Sequence, residues 1–166
     1  MDENDLLKVG YQKLLYKTLY KKSLYEFVKA FWSTCDPAPF IDGKLVQYYC
    51  EVFQYFCKSW VPYAQIKINV PDASDTLDVI DVRGMQTNLC LNVPPRHSKS
   101  KIFNVLGPTW VFTNAPIAVA SISHRGGLAG KMNEARKAII NSGLYKQLFG
   151  SDITLVKDTD SYLNDT

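Results

Sequence analysis

Residues 89–110 read LCLNVPPRHSKSKIFNVLGPTW. An apolar pentad, Leu89 to Val93, runs into two prolines, then into the basic segment Arg96-His97-Ser98-Lys99-Ser100, then into an apolar run with helical spacing. Strand, basic loop and helix in that order can wrap a phosphate group. Backbone N–H groups turn inward, a helix N-terminus points at the anion, a lysine neutralises charge and a hydroxyl holds Mg²⁺. The usual spacing is GxxxxGK[ST]. Lys99 and Ser100 supply the lysine and hydroxyl in order, but Val93 stands at the first glycine position and Ser98 at the second. The segment is therefore either a phosphate loop whose backbone freedom comes from elsewhere, or a basic turn between a strand and a helix.

The rest of the chain bounds the choice. Its 166 residues are 46% hydrophobic and 13% aromatic, enough for one core and too few for two large ones. A net charge of +3 does not by itself mark a nucleic-acid binder. No apolar run approaches the roughly 18–20 residues of a membrane helix, and the start MDENDLLK lacks the charge order and apolar core of a signal peptide. A cytosolic protein without a membrane partner is expected. Cys35, Cys50, Cys57 and Cys90 form no CxxC pair, and a helix would hold Cys50 and Cys57 about 10 Å apart, beyond disulfide reach. They are expected as small core residues in a reducing compartment. Two isolated histidines, His97 and His124, make no metal site.

From Asn4 to Trp32, Leu7, Tyr11, Leu14, Leu15, Leu19, Phe27, Val28 and Phe31 recur at helical spacing, which predicts an amphipathic helix broken near Ser23 and ended by CDPAP. The interleaved lysines read as a solvated face. A second helix is predicted from Asp42, as its cap, to Trp60. VPYAQIKINV (61–70), DTLDVIDVRG (75–84) and TNLCLNV (87–93) read as strands. A helix from Lys99 to about Phe112 follows, which Gly107 and Pro108 must interrupt or bend. IAVASIS (117–123) has the continuous apolar character of a buried parallel strand, a helix is predicted over Leu128–Asn141 with NSG as its stop, and DITLVKD offers one more strand. This order predicts an α/β fold. It would be an incomplete parallel sheet preceded by N-terminal helices, with residues 1–61 helical and 62–166 forming the sheet.

Four ordered segments resemble the N-terminal ATPase region of the large terminase subunit of tailed bacteriophages. Asn92 through Ser100 is similar to that family's N-x-P-P-R-H-G-K-S loop, Pro108 to Trp110 to its P-x-W element, Ala120 to Ser123 to an A-S-Y-S-like strand end, and Ser142 to Gly150 to an S-x-x-Y-x-x-L-F-G segment. The resemblance implies that the sheet is P-loop NTPase-like and that residues 62–166 are the first part of an ATPase domain. It spans roughly residues 24–166. It departs at Ser98, where the family has glycine, and in the longer stretch from Pro62 to Gln86.

The resemblance implies a part of a motor that uses ATP hydrolysis to drive double-stranded DNA through a portal protein into a procapsid. That motor would work in the cytoplasm of an infected bacterium with a small terminase subunit. The remaining terminase segments or further copies of the chain would complete it. ATP and Mg²⁺ would be its cofactors. Lys99 would neutralise the β and γ phosphates, Ser100 would help hold Mg²⁺, and amides around Arg96, His97, Ser98 and Lys99 would cradle phosphate oxygens. Arg96 either adds charge near the γ phosphate or faces solvent. No apolar strand ending in Asp and Glu follows Ser100, and no paired acidic clusters of a nuclease are present. The chain is thus expected to end before its catalytic carboxylates, and alone to bind ATP weakly and turn it over negligibly. Two alternatives stand beside this: a non-catalytic relic or interaction module, and a fragment of another P-loop ATPase such as a helicase.

Overall fold

In the computed structural model, which describes residues 3–57, 89–92, 98–115, 119–123 and 126–150, the first long helical stretch breaks at Ser23. α1 is Glu3–Lys22 and α2 is Leu24–Cys35. Ser23 is extended (φ −126°, ψ 112°), and its Oγ accepts the Glu26 N–H at 3.2 Å, so the serine caps α2. The break leaves a carbonyl and an amide to be satisfied, and one buried side chain serves both. Gln54 donates from Nε2 to the Lys22 carbonyl at 3.0 Å and accepts the Leu24 N–H on Oε1 at 2.7 Å.

α3 is Lys44–Phe56. It starts at Gly43 without a side-chain cap, because Asp42, the expected cap, is used elsewhere: it accepts the Tyr25 hydroxyl and lies 3.6 Å from Lys29 Nζ. Hydrogen bonding from Tyr25 holds the Asp42 carboxyl below its usual range. Three segments then run on without a break in right-handed backbone: α4 (Lys99–Lys101), a π-helical turn (Ile102–Leu106) and α5 (Gly107–Asn114). α6 is Gly126–Asn141. Ser142 stops it, and accepts the Tyr145 N–H at 3.3 Å to start α7, Gly143–Phe149.

The core lies between α2 and the 99–114 rod. Leu24, Phe27, Val28 and Phe31 of α2 are wholly buried with Ile102, Leu106 and Trp110, and α3 adds Tyr49, Cys50 and Phe53. Tyr145 and Phe149 close the far side, the Tyr145 ring meeting Phe31 edge-on at 5.8 Å. Phe53 lies so close to Gly107 that an added Cβ would sit 2.8 Å from its ring and from the Ile102 carbonyl, which explains a glycine inside a helix. Cys50 and Cys57 are buried, as expected, and burial pushes the Cys57 thiol up to about 12. Cys35 is half-buried and Cys90 is exposed, so Cys90 is not a core residue. Tyr11, Leu14, Leu15 and Leu19, expected on a core face, are exposed; α1 meets the core mainly near its end, where Tyr20 stacks edge-on to Phe31.

The expected α/β parallel sheet is corrected by this architecture. The described residues are predominantly helical and contain no strand. Val119 to Ser123, read as a buried parallel strand, has no regular structure, and Ile122 is 88% exposed. An interior strand needs ladder partners on both edges and cover on both faces; here the helices bury their apolar sides against one another instead. Leu89 to Asn92 likewise has no regular structure. The runs at 61–70, 75–84 and 152–158, and the expected boundary at 61/62, lie outside the described residues. Among the described residues no helix is long and apolar enough to cross a membrane.

Candidate functional site

The basic segment enters its helix through an unusual residue. Ser98 has φ 58° and ψ 5°, the left-handed conformation, where an N-cap is ordinarily extended. It is the single non-glycine residue with positive φ among the described residues. Its hydroxyl makes no cap hydrogen bond; its carbonyl instead accepts from the Lys101 N–H at 3.0 Å and the Ile102 N–H at 3.1 Å. The helical ladder starts there, and the amides of the first turn, ahead of it, point out along the axis. Lys99 is half-buried and Ser100 is exposed. Of the five expected site residues, Ser98, Lys99 and Ser100 therefore come together at one helix start. Arg96 and His97 lie outside the described residues, as does His124.

Lys101, the other cation of this turn, is committed to the fold. Its ammonium donates to the Cys35 carbonyl at 2.6 Å and lies 3.6 Å from Asp36, so it closes the C-terminal end of α2 and fixes where the 99–114 rod begins. A left-handed residue without a side-chain hydrogen bond predicts its own replacement. Ser98→Gly should stabilise the protein by about 0.5–1 kcal/mol, the relief of the left-handed backbone less the extra freedom glycine gives the unfolded chain. Ser98→Val should destabilise it by more than about 1 kcal/mol, because a β-branched residue tolerates that conformation least. Urea unfolding followed by circular dichroism measures both; equal midpoints for the two variants would refute the assignment.

Three residues into the rod, at Ile102, the helix changes register. Pro108, at the first turn of α5, has no N–H to offer the Asn104 carbonyl four residues back. The ladder widens to a π-turn in which the Gly107 N–H reaches the Ile102 carbonyl. Arg136 of α6 takes the freed acceptor: Nε and Nη2 donate to the Asn104 carbonyl at 2.8 and 2.6 Å. Nη2 also donates to Ser121 Oγ, and Nη1 reaches Asn133 Oδ1 at 3.4 Å. Arg136 is 8% exposed, and desolvation lowers its pKa. One side chain thus ties the rod bearing Lys99 to α6 and to the 119–123 segment.

Sequence reasoning missed Arg136. The signal was present: a proline inside a helical run announces a carbonyl four residues earlier that needs another donor. What the sequence does not say is which of the chain's cations supplies it. Among the described residues no group of three or more His, Cys, Asp or Glu side chains could hold a metal ion. Comparison with protein-family models, with curated proteins and with solved structures gives no match to this chain.

Proposed function

We propose that the chain is the nucleotide-binding part of an ATP-driven motor that packages double-stranded DNA, like the large terminase subunits its motifs resemble. The observation that carries this reading is Ser98. Where the family's loop has glycine, the serine takes the left-handed backbone that glycine favours, directly ahead of Lys99 and Ser100 at a helix start. The support is local to the loop and owes nothing to a sheet. In this reading Lys99 neutralises the β and γ phosphates of ATP, the exposed Ser100 hydroxyl helps hold Mg²⁺ through the nucleotide, and the first-turn amides cradle phosphate oxygens. Arg96 and His97 join the loop by resemblance alone. The chain contributes binding and charge; the carboxylates for hydrolysis come from other segments of the motor. Its setting is the cytoplasm of an infected bacterium. Double-stranded DNA, a portal protein, a small terminase subunit and further terminase segments or copies are its partners.

Titration of the purified chain with ATP and Mg²⁺ tests the reading. Submillimolar affinity is expected, weakened at least about tenfold by Lys99→Ala and also weakened by chelating the metal. No binding at millimolar ATP, or equal binding by Lys99→Ala, would replace it with a second reading, an interaction module without nucleotide. The helix-on-helix packing of the described residues and the exposed Tyr11, Leu14 and Leu15 of α1 favour that alternative.

A further inference from the structure

Beside the π-turn lies a cavity of about 410 Å³, within the range of about 300–1,000 Å³ typical of small-molecule sites. Its walls are apolar and aromatic, with Phe53, Phe56, Phe103 and Val111 prominent, and Arg136 is part of the lining. A second cavity of about 140 Å³ between α5 and α6 shares Pro108, Val119 and Arg136 with the first, so the two adjoin around the arginine. The charged groups on their described walls are all cationic, Arg136 in both and Lys137 in the smaller.

The guanidinium at this junction is buried, yet each of its described partners is a neutral oxygen, from Asn104, Ser121 and Asn133. Among the described residues no carboxylate pairs with it. Its weakest bond is the 3.4 Å contact from Nη1, which leaves that nitrogen the least committed. A buried charge that no described carboxylate offsets is costly, and an anion that reaches it gains a charge-assisted hydrogen bond away from bulk water. The apolar walls set the other half of the specificity. In the larger, aromatic-walled cavity Arg136 is the one described cation, so a phosphate dianion would leave water there with half its charge unbalanced, whereas a carboxylate with an apolar body matches both the single charge and the walls.

We propose that the paired cavities around Arg136 bind a small amphipathic monocarboxylate, its carboxylate on Arg136 and its apolar part among Phe53, Phe56, Phe103 and Val111. This site is separate from the Ser98-Lys99-Ser100 helix start and does not depend on nucleotide binding there.

Calorimetric titration of the full chain with octanoate, 1-octanol and octylammonium at one pH tests it. Octanoate should bind with submillimolar affinity, at least about tenfold tighter than 1-octanol, and octylammonium should bind more weakly still. Because Arg136 also holds the fold, the second arm leaves it in place: Ala120→Trp puts a bulky ring into the cavity wall at an exposed position, and should abolish octanoate binding while leaving the circular dichroism spectrum unchanged. Octanoate binding no tighter than that of 1-octanol, no octanoate binding at millimolar concentration, or undiminished binding by Ala120→Trp would each overturn the proposal.

Discussion

Trp110→Ala is expected to lower the unfolding free energy by about 4 kcal/mol, most of the stability of a marginal domain. The indole is wholly buried. It sits where α5 meets α1 and α2, and its Nε1 donates to the Tyr20 carbonyl at 2.9 Å, so it carries both packing and the bond that closes the end of α1. No neighbouring side chain can refill that volume without leaving its own site, because Phe27, Phe31 and Leu106 are themselves completely buried. Trp110→Phe separates the two contributions. It keeps most of the ring volume and loses the indole N–H, and should cost about 1–2 kcal/mol. Urea unfolding followed by far-ultraviolet circular dichroism reports both variants, and a cost below about 1 kcal/mol for Trp110→Ala would mean that the core is not centred where these contacts put it.

The helical half of this fold was legible because its signals are local. The break expected near Ser23 falls there, and the structure adds that the serine caps α2 by accepting the Glu26 N–H. Period and composition also found the buried side of α2 and, in α3, Tyr49, Cys50 and Phe53, although Leu45 on the same expected face is exposed. They overreached on α1, where Leu14, Leu15 and Leu19 have the right spacing but extend past the partners that would cover them. Spacing states which residues share a face and says nothing about whether another element reaches it. The strand reading of 117–123 failed over its described part, 119–123, for a related reason: a short apolar run does not distinguish a buried strand from an irregular segment packed on one side. Ser121 faces Arg136 while Ile122 is exposed, an arrangement set by α6 and invisible in IAVASIS itself. At the candidate site the order Lys99-Ser100 could be read directly, but the backbone of Ser98 could not. A serine in the glycine position implied that backbone freedom had to come from elsewhere, yet the serine itself takes the left-handed conformation that glycine favours.

Removing the Arg136 guanidinium should cost about 3 kcal/mol, and the same chain should recover part of that loss when a second residue is changed. Arg136→Met keeps the aliphatic stem but strips the Asn104 carbonyl of both its donors and Ser121 of its partner. In the native protein Pro108 cannot help, since it has no N–H. Pro108→Ala alone should therefore change stability by less than about 1 kcal/mol, because Arg136 already occupies the carbonyl and a new N–H there has nothing to gain. In the Arg136→Met background the alanine N–H can turn back to Asn104 and restore the ordinary helical bond, recovering about 1 kcal/mol. The signature is the coupling, not either single value: the double variant should be more stable than the sum of the two single changes by about 1 kcal/mol, against the few tenths expected of independent sites. Additive costs would mean that Arg136 stabilises through its contacts with Ser121 and Asn133 alone. A full coupling would show that the proline and the arginine are two halves of one device, in which a helix gives up a backbone bond at Asn104 so that a residue from α6 can hold the rod that carries Lys99.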